Sequence, residues 1–141
     1  MEPGMTIFLI DTNILIYYLA GVLEPEEKPK IDTILRDTFN ISIITRIELL
    51  GWKGHTPEGL IQARHLVDCA CCIPLTDTLA EKTIEIRSGT SITLPDAVIA
   101  ASALSLDAIL VTRNVKDFSN VTGLRIYNPF HLTDSPQDNQ S

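Results

Sequence analysis

Short apolar runs alternate with longer segments of helical pattern along nearly the whole of this chain. Such runs suit strands that are buried on both faces of a sheet. Strands separated by helices are joined by right-handed crossovers, which make neighbouring strands parallel. We therefore predict an α/β fold with a parallel sheet that helices cover on both faces. The predicted strands are residues 6–10, 41–44, 69–75, 108–112 and 124–127.

The segments between these runs carry start and stop signals of helices. Gly21 follows the first segment, in the position where glycine commonly ends a helix. Residues 24–30 contain two prolines and five charged residues, and we predict an exposed loop there. Thr45 and Thr93 each stand three residues before an acid, which is the spacing of a capping box. The predicted helices are residues 13–19, 31–39, 45–50, 58–68, 78–87 and 97–106.

The length of 141 residues fits one domain with a single core. We predict that this domain spans residues 1–134 and that residues 135–141 form a flexible polar tail. A net charge of −7 argues against a protein that coats nucleic acid through a uniformly positive surface. A nucleic-acid enzyme of this composition would need a local basic patch.

The cysteines and the apolar segments bear on where the protein works. Cys69, Cys71 and Cys72 are poorly placed to pair with one another, and we interpret them as small core residues. We identify no signal peptide ahead of them and expect the reducing cytoplasm. No stretch approaches the roughly 20 apolar residues of a membrane span, so we expect a soluble protein.

Three acids stand at or near the starts of predicted helices. Asp11 directly follows the first predicted strand, and Glu48 and Asp96 each lie three residues after a threonine. Each acid has an ordinary explanation as a helix cap or as a charge that complements the helix dipole. In a parallel sheet, however, the carboxyl ends of the strands meet at one edge, where ligands bind. We therefore expect the three carboxylates to lie close together.

Carboxylates held close together repel one another unless a cation neutralises them. Hard oxygen ligands suit Mg²⁺ or Mn²⁺. A structural zinc site would use Cys or His, and neither accompanies these acids. The sequence therefore predicts a Mg²⁺ or Mn²⁺ site built on Asp11, Glu48 and Asp96.

Four segments carry a further pattern: residues 9–15 (LIDTNIL), 42–49 (SIITRIEL), 94–101 (LPDAVIAA) and 111–118 (VTRNVKDF). In this order they resemble the motifs of PIN-domain ribonucleases, and most of all the VapC toxins of bacterial toxin–antitoxin pairs. The resemblance implies a three-layer α/β/α sandwich with a central parallel sheet. It also implies Mg²⁺- or Mn²⁺-dependent cleavage of RNA, with Asp11, Glu48 and Asp96 as the metal-binding and catalytic acids.

The fourth acidic position of this pattern is occupied differently here. Many relatives have Asp where this chain has Asn114, and Asp117 lies three residues further on. Asn114 offers a carbonyl oxygen but lacks the charge to hold a second cation strongly. Asp117 is either the acid that supplies this charge or an exposed acid in a turn. Both residues are candidate metal ligands, and Asp117 is also a candidate catalytic acid.

Polar and basic residues beside the acids have two possible roles each. Neighbours of a metal site commonly hold its carboxylates by hydrogen bonds, although capping of a helix or turn is the alternative. The candidates for this role are Thr12, Asn13 and Thr112. Basic neighbours bind RNA phosphates or are simply solvated. The candidates for RNA binding are Arg46, Arg113 and Lys116.

The resemblance further implies an RNA substrate, a cognate antitoxin that blocks the acidic pocket, and a homodimer. Two other interpretations stay open. A phosphatase of the haloacid-dehalogenase kind would need a second acid two residues after Asp11, where Asn13 stands. A catalytically degenerate PIN-like module would bind RNA or a protein partner without cutting, and Asn114 is the feature that favours it.

Overall fold

A five-stranded parallel sheet forms the centre of the molecule. The structure, a computed structural model, describes residues 6–130. The strands are β1 Phe8–Ile10, β2 Asn40–Ser42, β3 Cys71–Ile73, β4 Ile109–Val111 and β5 Arg125–Tyr127. They stand in the order β3-β2-β1-β4-β5, and every neighbouring pair is parallel. The predicted α/β fold with a central parallel sheet is confirmed.

Helices cover both faces of this sheet. They are α1 Thr12–Ala20, α2 Lys28–Asp37, α3 Ile43–Leu50, α4 Pro57–Asp68, α5 Asp77–Gly89, α6 Leu94–Ser105 and α7 Val115–Phe118. Leu9 and Leu110 join a core cluster with residues of α5 and α6. Ile10 and Val111 join a second cluster with residues of α1 to α4. Because successive strand residues point to opposite faces, the same two strands supply both cores and produce three layers.

The register of the central strands decides which residues meet at the carboxyl edge. Ile10 lies opposite Val111 in the β1–β4 pair. The residues that follow, Asp11 and Thr112, therefore leave the sheet side by side. The amide of Asp11 extends the ladder by donating to the carbonyl of Val111 at 2.9 Å.

Helix α3 begins earlier than the capping-box spacing predicted. Ser42 is the cap, since its hydroxyl oxygen accepts the amide of Ile44 at 3.0 Å. Thr45 lies inside the helix and is fully buried, so its predicted role as a cap is wrong. Glu48 accordingly belongs to the last turn of α3 instead of the first. The predicted strand 41–44 is also too long, because α3 takes its second half.

Both ends of α2 also differ from the prediction. Helix α2 starts at Lys28, within the predicted loop, because Pro29 stands in the first turn, where its missing N–H leaves no hydrogen bond unmade. The helix ends at Asp37, before the predicted end at residue 39. The single turn α7 was not predicted, since four residues are too few to show a helical period.

The cysteines lie in and beside the edge strand β3. Cys69 and Cys71 are exposed, so their interpretation as core residues is wrong, and Cys72 is half-buried. In the part of the chain from residue 6 to 130, no helix is both long and apolar enough to cross a membrane. The predicted boundary at residue 134 and the predicted tail at 135–141 lie outside the described residues.

Candidate functional site

Asp11 lies at the edge of the sheet formed by the carboxyl ends of the strands, and hydrogen bonds hold its side chain in place. It caps α1, and only 4% of the residue is exposed. Its Oδ1 accepts the amide of Thr12 at 2.8 Å. Its Oδ2 accepts the hydroxyl of Thr112 at 2.7 Å and the side-chain amide of Asn13 at 3.1 Å. These three donors hold the carboxylate in one orientation.

The environment of Asp11 makes its negative charge costly. Burial raises the pKa of this carboxyl to about 6, although the hydrogen bonds from Thr112 and Thr12 act in the opposite direction. The charges of Asp96 and Glu48 raise the pKa further. Repulsion from both acids shows that carboxylates from three different elements are electrostatic neighbours.

Thr12 links Asp11 to Glu48. Its hydroxyl donates to Glu48 Oε1 at 2.7 Å, and its oxygen is 3.1 Å from Thr45 Oγ1. Since one hydroxyl carries a single hydrogen, the bond between the two threonines is donated by Thr45. A chain of two buried hydroxyls, those of Thr45 and Thr12, therefore orients the exposed Glu48 carboxylate.

Asp96 and Asp117 form the other half of the acidic group. Thr93 caps α6 as predicted, and its hydroxyl oxygen accepts the Asp96 amide at 3.4 Å. Burial raises the pKa of the half-buried Asp96, the hydrogen bond with Thr93 lowers it, and repulsion from Asp117 and Glu48 raises it. The exposed Asp117 reaches this position because α7 turns it back toward α6. The backbone amide of Asn114 donates to Thr112 Oγ1 at 3.0 Å.

The chemistry of this donor set suits a hard cation. The four acids Asp11, Glu48, Asp96 and Asp117 offer only oxygen, and repulsion couples them. Among the described residues, no three His, Cys, Asp or Glu side chains stand close enough together to enclose an ion as they are placed. The acids are therefore neighbours at one edge of the sheet, with Asp11 held by hydrogen bonds and Asp96 close to both Glu48 and Asp117.

The three basic candidates lie in different surroundings. The guanidinium of Arg113 lies over two aromatic rings, 5.1 Å from the centroid of Tyr17 and 5.0 Å from that of Phe130. The Arg113 amide donates to Asn13 Oδ1 at 3.3 Å, which ties this residue to the Asp11 network. Arg46 lies toward α4 instead, where its Nη1 is 4.0 Å from Asp68.

The contact of Arg113 with Tyr17 and Phe130 was not predicted from the sequence. The two rings also contact each other edge to face at 5.2 Å. Cations over aromatic faces are attracted by the ring quadrupole. The spacing of Tyr17, Arg113 and Phe130 along the chain carries no periodic signal, so only the fold could reveal this group.

A cavity of about 200 Å³ opens beside the acids. Asp96, Lys116 and Asp117 contribute to its wall, together with Asn120 and residues of the loop between α5 and α6. Lys116, the third basic candidate, thus lies next to two of the proposed metal ligands.

Comparison with known proteins gives consistent matches over most of the chain. The family model described as PIN domain matches residues 8–124. Ribonuclease VapC1 of Haemophilus influenzae (strain R2866) is 30% identical over an alignment of 139 residues, which covers 84% of this chain and 95% of the relative.

Solved structures agree in fold. A toxin–antitoxin complex from Klebsiella pneumoniae contains a chain that is 29% identical, with a TM-score of 0.69 and coverage of 86% of this chain and 97% of that one. The crystal structure of DNA-bound VapBC from Salmonella typhimurium contains one that is 27% identical, with a TM-score of 0.76 and coverage of 89% and 99%. The family-model match at residues 8–124 includes all four acids of the site.

Proposed function

Since this chain belongs to the PIN domain family, we propose that it is a divalent-metal-dependent endoribonuclease and the toxin component of a toxin–antitoxin pair. The observation that carries the proposal is the grouping of Asp11, Glu48 and Asp96, in which Thr12 makes hydrogen bonds to both Asp11 and Glu48 and Asp96 is close enough to repel Asp11. A similar protein is named Ribonuclease VapC1, and a similar structure is a toxin–antitoxin complex.

The residues proposed to hold Mg²⁺ or Mn²⁺ are Asp11, Glu48, Asp96, Asp117 and Asn114. When bound, such a cation supplies positive charge that stabilises the phosphate oxygens and lowers the pKa of water. The side chains of this chain hold the groups that take part in the reaction in place. Thr112, Asn13 and the Thr12 amide hold Asp11 immobile, so the remaining lone pairs of its carboxylate keep one direction.

The other side chains of the site are proposed to orient the attacking water and to bind the RNA phosphate. The Thr12 hydroxyl holds Glu48, which with Asp96 is suited to orient the attacking water through hydrogen bonds. Arg113 and Lys116 supply the positive charge that an RNA phosphate needs to approach a group of acids. This local placement of cations reconciles an RNA substrate with a net charge of −7.

We expect RNA cleavage to stop in EDTA, to return with Mg²⁺ or Mn²⁺, and to fall below about pH 6. The pKa of Asp11 is raised to about 6, so the carboxyl is ionised above that value and protonated below it. A protonated carboxyl does not bind a cation, and one pH unit below the pKa the rate is about tenfold lower. Because protons and cations compete for the same oxygen atoms, more Mg²⁺ should move the acidic limb to lower pH.

The measurement is the initial rate on a single-stranded RNA from about pH 5 to about pH 8 at two Mg²⁺ concentrations. Circular dichroism at each pH verifies that the protein stays folded. Equal cleavage in EDTA would refute metal dependence. An acidic limb at the same pH for both Mg²⁺ concentrations would refute competition at Asp11.

We expect Arg113→Ala to weaken RNA binding and to lower the slope of log affinity against log salt by about one. The reason is the loss of one phosphate contact. Arg113→Lys keeps the charge but loses the planar stacking on Tyr17 and Phe130, so binding should be intermediate while the salt slope is kept.

The matched control is Arg36→Ala, which removes an exposed arginine from the end of α2 that leads to the opposite edge of the sheet. Fluorescence anisotropy of a labelled RNA at several salt concentrations measures both quantities. If Arg113→Ala and Arg36→Ala behave alike, Arg113 does not bind phosphate.

We propose that the antitoxin partner neutralises the acidic group with a basic side chain. The support is the excess of acid at this edge and the similarity to a solved toxin–antitoxin complex. Adding the protein encoded beside this gene to the cleavage assay tests it. Loss of cleavage in a stoichiometric complex is expected, and a complex that still cuts would contradict the blocking role.

We further propose a homodimer in the reducing cytoplasm. Cys69, Cys71 and Cys72 are free thiols, which persist in a reducing compartment. Ile47 and Ile61 are 60% and 58% exposed on α3 and α4, which contact each other, and a second copy that covered both side chains would remove apolar surface from water. Light scattering should give twice the mass of the chain; the mass of a monomer would contradict the dimer.

A further inference from the structure

The cavity beside Asp96 has features that the proposed metal chemistry does not use. Ile92 and Val121, which are 8% and 6% exposed, form its apolar part. Ser91, Lys116 and Asn120 contribute polar side chains to its wall. The cavity therefore combines an apolar surface with hydrogen-bonding groups.

Within the described part of the molecule, no other protein group pairs with these polar side chains. Between residues 6 and 130, the side chains of Ser91 and Asn120 make no hydrogen bond, and Lys116 makes no ion pair. Thr90 differs from them, because its hydroxyl donates to the Ile86 carbonyl at 3.0 Å and accepts the Ile92 amide at 3.3 Å. Donors and acceptors thus remain available for a ligand at Ser91, Lys116 and Asn120.

Size and charge limit what this ligand is. A volume of about 200 Å³ is below the roughly 300 Å³ at which pockets for drug-sized molecules begin, so only a small group enters. Asp96 and Asp117 stand in the same wall as Lys116 and outweigh its charge, which disfavours a phosphate inside the cavity away from the cation that these acids are proposed to hold. A flat neutral group with polar atoms at its rim meets these conditions.

We propose that this cavity binds one unpaired base of the RNA, in the nucleotide next to the phosphate that is cut. The proposal rests on the proposed function, because it takes Asp96 and Asp117 as the side of the site where the phosphate reacts. The base lies against Ile92 and Val121, while the Asn120 amide donates to and accepts from its edge. Unpaired bases that hydrogen-bond through their edges are the usual source of sequence specificity in RNA recognition.

The test compares the wild type with Asn120→Ala and Asn120→Asp on a random single-stranded RNA. Sequencing of the fragment ends gives the base preference at each position around the cut. The wild type should prefer one base at one position next to the cut, and Asn120→Ala should reduce that preference about tenfold. Asn120→Asp should change which base is preferred, because it exchanges a donor for an acceptor.

Thr122→Ala is the matched control, since Thr122 is exposed, stands two residues from Asn120 and does not line the cavity. It should keep the wild-type preference. A second readout does not depend on cleavage: NMR shifts of the Asn120 side-chain amide on addition of adenosine, guanosine, cytidine, uridine or inorganic phosphate. A nucleoside should shift this signal and inorganic phosphate should not.

The outcomes separate this inference from the proposed function. A wild type that cuts no RNA refutes the function, and the nucleoside shifts then decide whether the cavity binds a base. Unchanged preference in both Asn120 variants refutes the inference while cleavage persists. Shifts with phosphate but with none of the nucleosides refute it as well, by showing an anion site.

Discussion

Asp11→Asn is expected to lower kcat/KM for RNA by about a thousandfold or more, because it removes the one carboxylate that the fold holds rigid. Glu48, Asp96 and Asp117 remain at the site, but among residues 6–130 none of them accepts three hydrogen bonds as Asp11 does. The neutral amide keeps nearly the same shape and loses the charge that attracts the cation. Initial rates on one RNA at fixed Mg²⁺ measure the effect.

The loss of activity is expected in a folded protein. Burial raises the pKa of Asp11 from its ordinary value to about 6, so the folded state binds a proton more tightly than the unfolded chain does. Above that pH the buried carboxyl is ionised, which lowers the free energy of unfolding of the wild type. Asparagine is neutral and does not lower it in this way. Asparagine also places an NH2 donor where one carboxylate oxygen accepts hydrogen bonds, and this loss offsets the gain. The midpoint of thermal unfolding in EDTA should therefore stay near that of the wild type at neutral pH.

Asp37→Asn is the matched control for this experiment. Asp37 ends α2 at the opposite edge of the sheet, is exposed, and pairs only with the adjacent Arg36 at 3.8 Å among the residues described. Its activity should equal that of the wild type. Equal cleavage by the wild type and Asp11→Asn would remove Asp11 from the catalytic site. Absence of cleavage by the wild type would instead favour a module that binds RNA without cutting it.

Thr112→Val should lower cleavage about 10- to 100-fold, and Thr112→Ser should restore most of it. The fully buried Thr112 donates to Asp11 Oδ2 at 2.7 Å and accepts the Asn114 amide at 3.0 Å. Valine keeps the shape but makes neither bond, which leaves a buried carboxylate oxygen with a single donor. The free energy of unfolding should fall by about 1–3 kcal/mol.

The Thr112→Ser variant distinguishes the contribution of the hydroxyl group from that of the methyl group. It keeps both hydrogen bonds and loses only a methyl, so its activity and its Mg²⁺ dependence should resemble those of the wild type. Rates across a Mg²⁺ titration and chemical unfolding of all three proteins provide the comparison. If serine is as inactive as valine, packing of the methyl group and not the hydrogen bond supports the site.

Much of the fold could be predicted from local patterns. The alternation of apolar runs with helical segments sufficed for the parallel sheet, because the central strands β1 and β4 are buried on both faces and therefore read as continuous apolar runs. Boundaries were predicted less well. At α3, Ser42 and Thr45 are both acceptable caps by type, and only the end of β2 decided that Ser42 caps the helix.

For the acids of the site, too, some positions could be predicted from the sequence and others could not. Asp11 and Asp96 follow from sequence, since one comes directly after a strand and the other follows a capping threonine. Glu48 was expected near them for the wrong reason, as a first-turn acid. It lies in the last turn of α3, and its contact with Thr12 is what brings it to the site.

By itself the sequence determined the α/β class, the parallel sheet and the carboxyl edge that receives Asp11 and Asp96, because these depend on the order and periodicity of neighbouring residues. Only the tertiary structure decided how Asp11 is anchored by Thr112, which side of α6 Asp117 faces, and which rings Arg113 covers. Some of those contacts join residues up to about a hundred positions apart, and others depend on the direction of one short helix, α7. No local sequence pattern encodes contacts of this kind, so they form only when the strands of the sheet have paired in register.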